Sequence, residues 1–310
     1  MENPTNRSHS QKPSTRVRGF AEWRPIARNQ ALLSTVLSIL EEYAAYLPLT
    51  IRQIFYRLVG VHEYPKTEHA YKKLGEMLNR ARRPGRVSFD AIRDDGITKR
   101  VPHHWKDAAE LVRTFIDSAE RFTLDRQQGQ PNRRFFAVEA AGMVPLVEQI
   151  AEPYGITVLS SGGFDSTTAK YALAQTLSEF SAAEVLHIGD HDRSGVHVFS
   201  SIAEDVQAFT AGLGATSMPI FTRLAVTPEQ ITELALPTAP PKETDRRSFE
   251  GTVTTQVEAI PPDVLVAIIT NAITSRIDRA AYDAVLAEEE RIKAQFRRTL
   301  LPALRRIQRI

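Results

Sequence analysis

Phe135-Phe136-Ala137-Val138-Glu139-Ala140-Ala141-Gly142 and Val185-Leu186-His187-Ile188-Gly189-Asp190-His191-Asp192-Arg193-Ser194-Gly195 are the two stretches that decide how this chain is read. Each opens with a short apolar run of β-branched or aromatic residues and closes on carboxylates beside small residues. Such runs predict buried parallel strands. Between them lie a helix-like segment from Val144 to Ile150, a further apolar run from Ile156 to Leu159, and the loop Ser160-Ser161-Gly162-Gly163. Strand alternating with helix is the pattern of an open, mostly parallel sheet, and in such sheets chemistry gathers at the carboxyl ends of the strands. Glu139, Asp190 and Asp192 fall at those ends. Three carboxylates at one sheet edge repel one another unless a hard cation holds them, and Mg²⁺ is the usual tenant. The competing reading is that acidic residues here cap the helices that follow. The Ser-Gly-Gly loop is either a phosphate cradle of backbone N–H groups or a plain turn. His187 is expected in the core and His191 on a solvent-facing loop.

Outward from this centre, the sequence predicts a helix from Val196 to Phe209 and a fourth strand from Met218 to Leu224. Thr227 and Pro228 then read as the N-cap and first residue of a short helix. Residues 236–262 are Pro-rich and predict a long loop crossing back over the sheet, followed by helices to Ile310. Towards the N-terminus, Leu33, Val36, Leu37, Leu40 and Ala44 recur at helical spacing. Pro48 stops that helix, and Thr50 is a candidate N-cap for a second, Ile51 to Val59. A third, from about Thr67 to Arg83, turns Ala70, Leu74, Met77, Leu78 and Ala81 inward and Lys72, Lys73, Arg80, Arg82 and Arg83 outward. With a strand-like Arg86-Val87-Ser88-Phe89 behind it, the trio predicts a winged helix-turn-helix with a basic third helix facing DNA. A further amphipathic helix spans 106–122. The polar residues 125–132 read as a domain boundary. The expected organisation is therefore a disordered basic arm (1–25), a winged-helix domain (26–130), and a mixed α/β domain with a C-terminal helical extension (131–310).

Charge is distributed to match. Residues 1–134 carry 24 Lys/Arg against 15 Asp/Glu, residues 291–310 hold seven basic residues and no acidic one, and 135–290 hold 8 basic and 22 acidic. A basic front and tail around an acidic centre suit a polyanion gripped at the edges and a metal in the middle; solvated helix faces are the plainer explanation. The chain has no cysteine, which excludes disulfides, thiolate zinc sites and a cysteine nucleophile. The opening residues lack the apolar core of a secretory signal, and no apolar run reaches the roughly 20 residues that span a bilayer. The expected location is the cytoplasm, on the nucleoid.

In Thr50-Ile51-Arg52-Gln53-Ile54-Phe55-Tyr56-Arg57-Leu58, the residues Ile51, Ile54, Phe55 and Leu58 form one apolar stripe, and Tyr56 falls roughly 150° from its centre. Arg52 precedes Tyr56 by one helical turn and shares its face. A tyrosine oxygen beside a guanidinium has the makings of a phosphodiester nucleophile, the cation offsetting charge on the transition state.

The E…D-x-D pattern on alternating strands and helices resembles the Toprim domain of topoisomerases, primases and some nucleases. The segment T-x-R-x-I-F-Y ahead of it resembles the catalytic subunit of DNA topoisomerase VI and its relative, the meiotic double-strand-break transesterase. Similar uncharacterised phage-type proteins share the pattern, including Leu236-Pro237 and Glu258-Ala259-Ile260-Pro261-Pro262. The resemblance covers about residues 30–230. It implies Tyr56 as nucleophile, Arg52 as its electrostatic partner, and Glu139, Asp190 and Asp192 as Mg²⁺ ligands. It also implies a homodimer in which tyrosine and metal site come from different protomers, and a separate ATPase subunit for strand passage. Two departures stand out: Ala140 replaces a usual lysine, and Arg193 replaces a proline after D-x-D, offering a phosphate contact instead. The implied activity is Mg²⁺-dependent DNA cleavage by tyrosine transesterification. Two alternatives remain: a Toprim nuclease using water, as in plasmid-defence systems, and a DNA-binding protein without turnover.

Overall fold

The computed structural model describes residues 21–93, 104–160, 167–241, 249 and 251–308. Most of the expected basic arm and of the Ser-Gly-Gly loop lie outside these residues. The architecture is mixed α/β with a small parallel sheet.

Three N-terminal helices form where their periodicity and caps demand. They are α1 (Ala27–Glu42), α2 (Ile51–Val61) and α3 (Glu68–Arg82). Thr50 starts α2 through a capping box: its hydroxyl accepts from the Gln53 N–H at 3.1 Å while the Gln53 side chain accepts from the Thr50 N–H at 2.8 Å. Thr67 caps α3 by accepting from the Ala70 N–H at 3.1 Å. Every inward residue expected on α3 is buried in one cluster with Leu33, Val36 and Ile54. Leu37, expected inside, is 41% exposed, and Ile39 takes the inner position.

The wing differs. Residues 86–89 form no strand. Ser88 instead caps a 3₁₀ turn at Phe89–Ala91, accepting from the Asp90 N–H at 3.1 Å. The next two residues, β2 (Ile92–Arg93), pair in parallel with β1 (Leu49–Thr50) rather than folding back as a hairpin. Arg82 fixes this connection by donating to the Phe89 and Ile92 carbonyls at 3.2 and 3.3 Å.

The main sheet contains β3 (Arg133–Val138), β4 (Thr157–Ser160), β5 (Ala183–Ile188) and β6 (Ile220–Ala225), in the order β4-β3-β5-β6 and parallel throughout. Side chains alternate across a strand, so one apolar run serves both faces. Phe136, Val138, Leu186 and Ile188 pack under α5 (Val144–Ala151) and α9 (Pro262–Thr274). Phe135, Ala137 and Val185 pack under α6 (Thr167–Ser178) and α7 (Arg193–Gly212). Between β6 and the loop, Thr227 caps α8 (Pro228–Glu233) with Pro228 as its first residue, as the sequence predicts, and Gln230 completes a second capping box.

The helix α4 (Ala108–Glu120) packs on the C-terminal helices α10 (Arg279–Arg298) and α11 (Leu300–Ile307) through Ile116, Ala119 and Leu301. Glu289 of α10 anchors the stretch expected as a boundary, accepting from the Leu124 N–H and from Arg126 and Lys293. Burial works against its charge, but these donors prevail and push it down to about 2. Among the described residues no helix is long and apolar enough to cross a membrane.

Candidate functional site

Strand β3 delivers Glu139 and strand β5 delivers Asp190 to adjoining positions at the sheet edge, because Val138 and Ile188 are register partners. The Glu139 carboxylate accepts from the Asp190 N–H at 3.1 Å. Gly189 is required at this crossing, where a Cβ would collide with the Glu139 carboxylate and the His187 ring.

The Pro-rich crossover then closes over the strand ends. His191 and Thr255 exchange backbone hydrogen bonds at 2.9 and 3.0 Å, and the Val257 N–H donates to Asp190 Oδ1 at 2.9 Å. This lays Gln256 and Glu258 between the sheet and α2. Tyr56 Oη donates to Gln256 Oε1 at 2.7 Å, and the same Gln256 side chain hydrogen-bonds the Asp190 carboxylate. One amide therefore links the expected nucleophile to an expected metal ligand, within one chain.

Two cavities flank this link. One, of about 350 Å³, is lined by Arg52, Tyr71, Glu139, Asp190 and Glu258. The other, of about 340 Å³, is lined by Tyr56, Lys66, Asp192 and Gln256, and shares Arg52 and Tyr71 with the first. The Arg52 guanidinium lies 5.8 Å from the centroid of the Tyr71 ring.

Burial dominates the electrostatics, with repulsion among the carboxylates adding to it and Arg52 and Arg223 offsetting part of it. Burial, and then the Asp190 charge, push Glu139 up to about 7. Glu258 is raised to about 7 by the same two causes. Asp190 is raised by burial and then Asp192, against the Val257 N–H, Arg52 and Gln256. Tyr56 is raised well above an ordinary tyrosine by burial, with Asp190 and Glu258 adding to it and only Arg52 opposing. Arg223, half-buried in β6, donates to the carbonyls of Gly189, Asp190, Gly195 and Val226 and so holds the D-x-D loop in shape.

No protein-family model, curated protein or solved structure matches this chain. What the site does must follow from its own residues.

Several expectations need correction. Tyr56 is not on an open face: it is 7% exposed, because residues 254–258 cover the side of α2 opposite the apolar stripe. Asp192 does not line the cavity of Glu139 and Asp190; its carboxylate caps α7 by accepting from the Gly195 N–H at 2.7 Å. Helix capping thus applies to the third carboxylate and not to the first two. Among the described residues no group of three or more Asp, Glu or His side chains stands as a ready-made metal site. His191 is buried against Phe249, not solvent-facing. His187 is in the core as expected, but neither ring nitrogen has a partner, and burial drives it down to about 3.

Of the basic residues expected at DNA, Lys72, Lys73 and Arg80 are exposed, Lys72 pairing with Glu68 at 2.8 Å. Arg82 instead folds back onto the exposed Phe89, 4.7 Å from its ring centroid, and both it and Arg83 are half-buried. Arg193 is half-buried in the first turn of α7 and lines neither cavity.

Four residues of the site escape a sequence reading: Lys66, Arg223, Gln256 and Glu258. Two carry a faint signal. Arg223 is a cation inside the strand run Ile220–Ala225, and Glu258 a lone acid in the apolar run Val257–Ile260.

Proposed function

We propose that this chain cuts DNA by transesterification onto Tyr56, with a winged-helix-like bundle and a Toprim-like sheet as the two walls of the site. The observation that carries this reading is the meeting, in one chain, of Tyr56, Arg52, Asp190 and Glu139 around the Gln256 amide. Tyr56 Oη bonds to phosphorus, the bond from phosphorus to a deoxyribose oxygen breaks, and the proton given up by the phenol ends on that leaving oxygen. Arg52 offsets the charge that builds on the phosphoryl oxygens.

The donors at the strand ends fit a hard divalent cation: they are carboxylate oxygens, and burial and neighbouring carboxylates raise Glu139 and Asp190 by more than Arg223, Arg52 and the Val257 N–H offset. Glu139 and Asp190, with Asp192 at the adjoining cavity, are the residues that would hold Mg²⁺, which when bound supplies Lewis-acid stabilisation of the leaving oxygen. Because residues 254–258 cover Tyr56, DNA entry requires that segment to move aside. The partners in this reading are DNA, a second copy of the chain that cuts the other strand, and a separate ATPase subunit. It acts in the cytoplasm, on the nucleoid.

The test is to incubate the chain with DNA and Mg²⁺, denature, and look for protein covalently joined to one DNA terminus. Since one chain carries both halves of the site, mixing Tyr56→Phe chains with Asp190→Asn chains should leave cleavage absent. Restored cleavage would show that the halves meet across a dimer.

A second reading is a metal-dependent nuclease in which water attacks and Tyr56 is a positioning residue. It draws on the burial of Tyr56 and its bond to Gln256. A binding protein without turnover is the outcome if no condition gives cleavage.

DNA is expected to lie along the exposed face of α3. Replacing Lys72, Lys73 and Arg80 with alanine should weaken binding and flatten its salt dependence by about 0.9 in the log–log slope for each phosphate no longer neutralised. An unchanged slope in a titration over salt places the duplex elsewhere. Arg82→Ala is expected to act differently, lowering the melting temperature through loss of its hydrogen bonds to Phe89 and Ile92.

A further inference from the structure

We propose that Glu258 is a ligand of the divalent cation, joining Glu139 and Asp190 to form the donor set of the cavity between α2 and the sheet edge. This rests on the cation reading above and adds to it a residue from outside the D-x-D pattern. Glu258 is 6% exposed, and its Oε2 has no hydrogen-bond partner. It faces the same cavity as Glu139 and Asp190. A buried carboxylate oxygen with no donor is costly, and a cation is the usual remedy.

Its placement is fixed by the neighbouring backbone. Glu258 sits in the 3₁₀ turn Val257–Ala259, whose first N–H donates to Asp190 Oδ1 at 2.9 Å. That bond holds Glu258 in register with Asp190 before any ion arrives. Arg52 shares the cavity and its charge opposes the rise of Asp190 and Glu258, but it donates no hydrogen bond to Glu258 Oε2, which stays without a partner.

Asp192, the alternative third ligand, spends one oxygen capping α7 and lines the neighbouring cavity. The carboxylates do not close on one point unaided. A volume of about 350 Å³ allows for that, because Mg²⁺ keeps several of its waters and each water takes about 30 Å³. The donor set is all oxygen and anionic, which suits Mg²⁺ or Mn²⁺ and not a softer ion.

The experiment is a titration of the full chain with Mn²⁺, read by the paramagnetic signal of the free ion, on the unmodified protein, Glu139→Gln and Glu258→Gln. Glu258→Gln is expected to weaken Mn²⁺ binding by at least about tenfold, the range in which even outer-shell partners of a metal act. It should also lose the rise in melting temperature that Mn²⁺ gives the unmodified chain. If Glu258→Gln binds within about twofold of the unmodified chain while Glu139→Gln does not, Glu258 is no ligand and the cation site stands without it. If the unmodified chain binds no Mn²⁺, the cation reading itself falls, and this proposal with it. Should Glu258→Gln fail to fold, Glu258→Asp keeps the charge on a shorter arm. Weakened binding by that folded variant supports the assignment, and unchanged binding overturns it.

Discussion

Tyr56→Phe is expected to lower strand cleavage by at least about a thousandfold, the scale on which removing a nucleophile acts in enzymes. The substitution takes away one oxygen and leaves the ring in its buried setting beside Phe55, whose centroid is 5.5 Å away. It also leaves Gln256 Oε1 without its donor. Gln256 is half-buried, so the lost partner costs less than for a fully buried acceptor (about 1–3 kcal/mol), and only a small fall in melting temperature should accompany the lost activity. DNA binding should persist, because α3 is untouched. Ends cut by the unmodified chain should carry protein on one terminus and resist an exonuclease that needs that terminus free. Free phosphate and hydroxyl ends, together with an active Tyr56→Phe variant, would sink transesterification and promote the water-attack nuclease.

Asp190→Asn should also abolish cleavage, yet make the cation-free protein more stable at alkaline pH. Asp190 is half-buried, and its charge is the largest contribution after burial to the rise of both Glu139 and Glu258. Asparagine keeps an acceptor for the Val257 N–H and removes the charge. The sign follows from linkage. Glu139 rises from 4.5 to about 7 on folding, so its carboxyl favours the folded state below about 4.5, and that advantage is lost as pH climbs through about 7. For Glu139 alone the loss is on the order of 3 kcal/mol. Without divalent cation, the melting temperature of the unmodified chain should therefore carry a falling contribution from this cluster between about pH 5 and about pH 8. Asp190→Asn should flatten that fall, and Mg²⁺ at the upper end should raise the melting temperature of the unmodified chain only. Superimposable curves for the two proteins in chelator, with equal responses to Mg²⁺, would count against a coupled carboxylate site.

The first-order features of the fold and half of the site are written locally. Capping boxes at Thr50 and Thr227 need only residues three apart, so they are legible in the order of residues alone. The inward face of α3 follows from a repeat of 3.6, and the parallel strands from short apolar runs that are buried on both faces. The ends of those strands place Glu139 and Asp190 next to each other, because Val138 and Ile188 are register partners and the two carboxylates follow them by one and two residues.

What lies on top of the site is not local. Tyr56 looks free on a helical wheel, since the wheel knows only α2; its partner Gln256 is 200 residues away. The same crossing inserts Glu258 beside Asp190 and buries His191 against Phe249. Asp192 could be read as ligand or as cap from its spacing alone, and the choice was made by where the first turn of α7 points its N–H groups. Arg82 folds back along the connection from α3 to β2, where the Phe89 and Ile92 carbonyls accept from it. Periodicity and capping arise from neighbours within about one helical turn, and the sequence determines them by itself. Which face a distant segment covers depends on the packing of the whole chain, so burial, and with it the charge state of Tyr56, Glu139 and Glu258, was decided only by the tertiary structure.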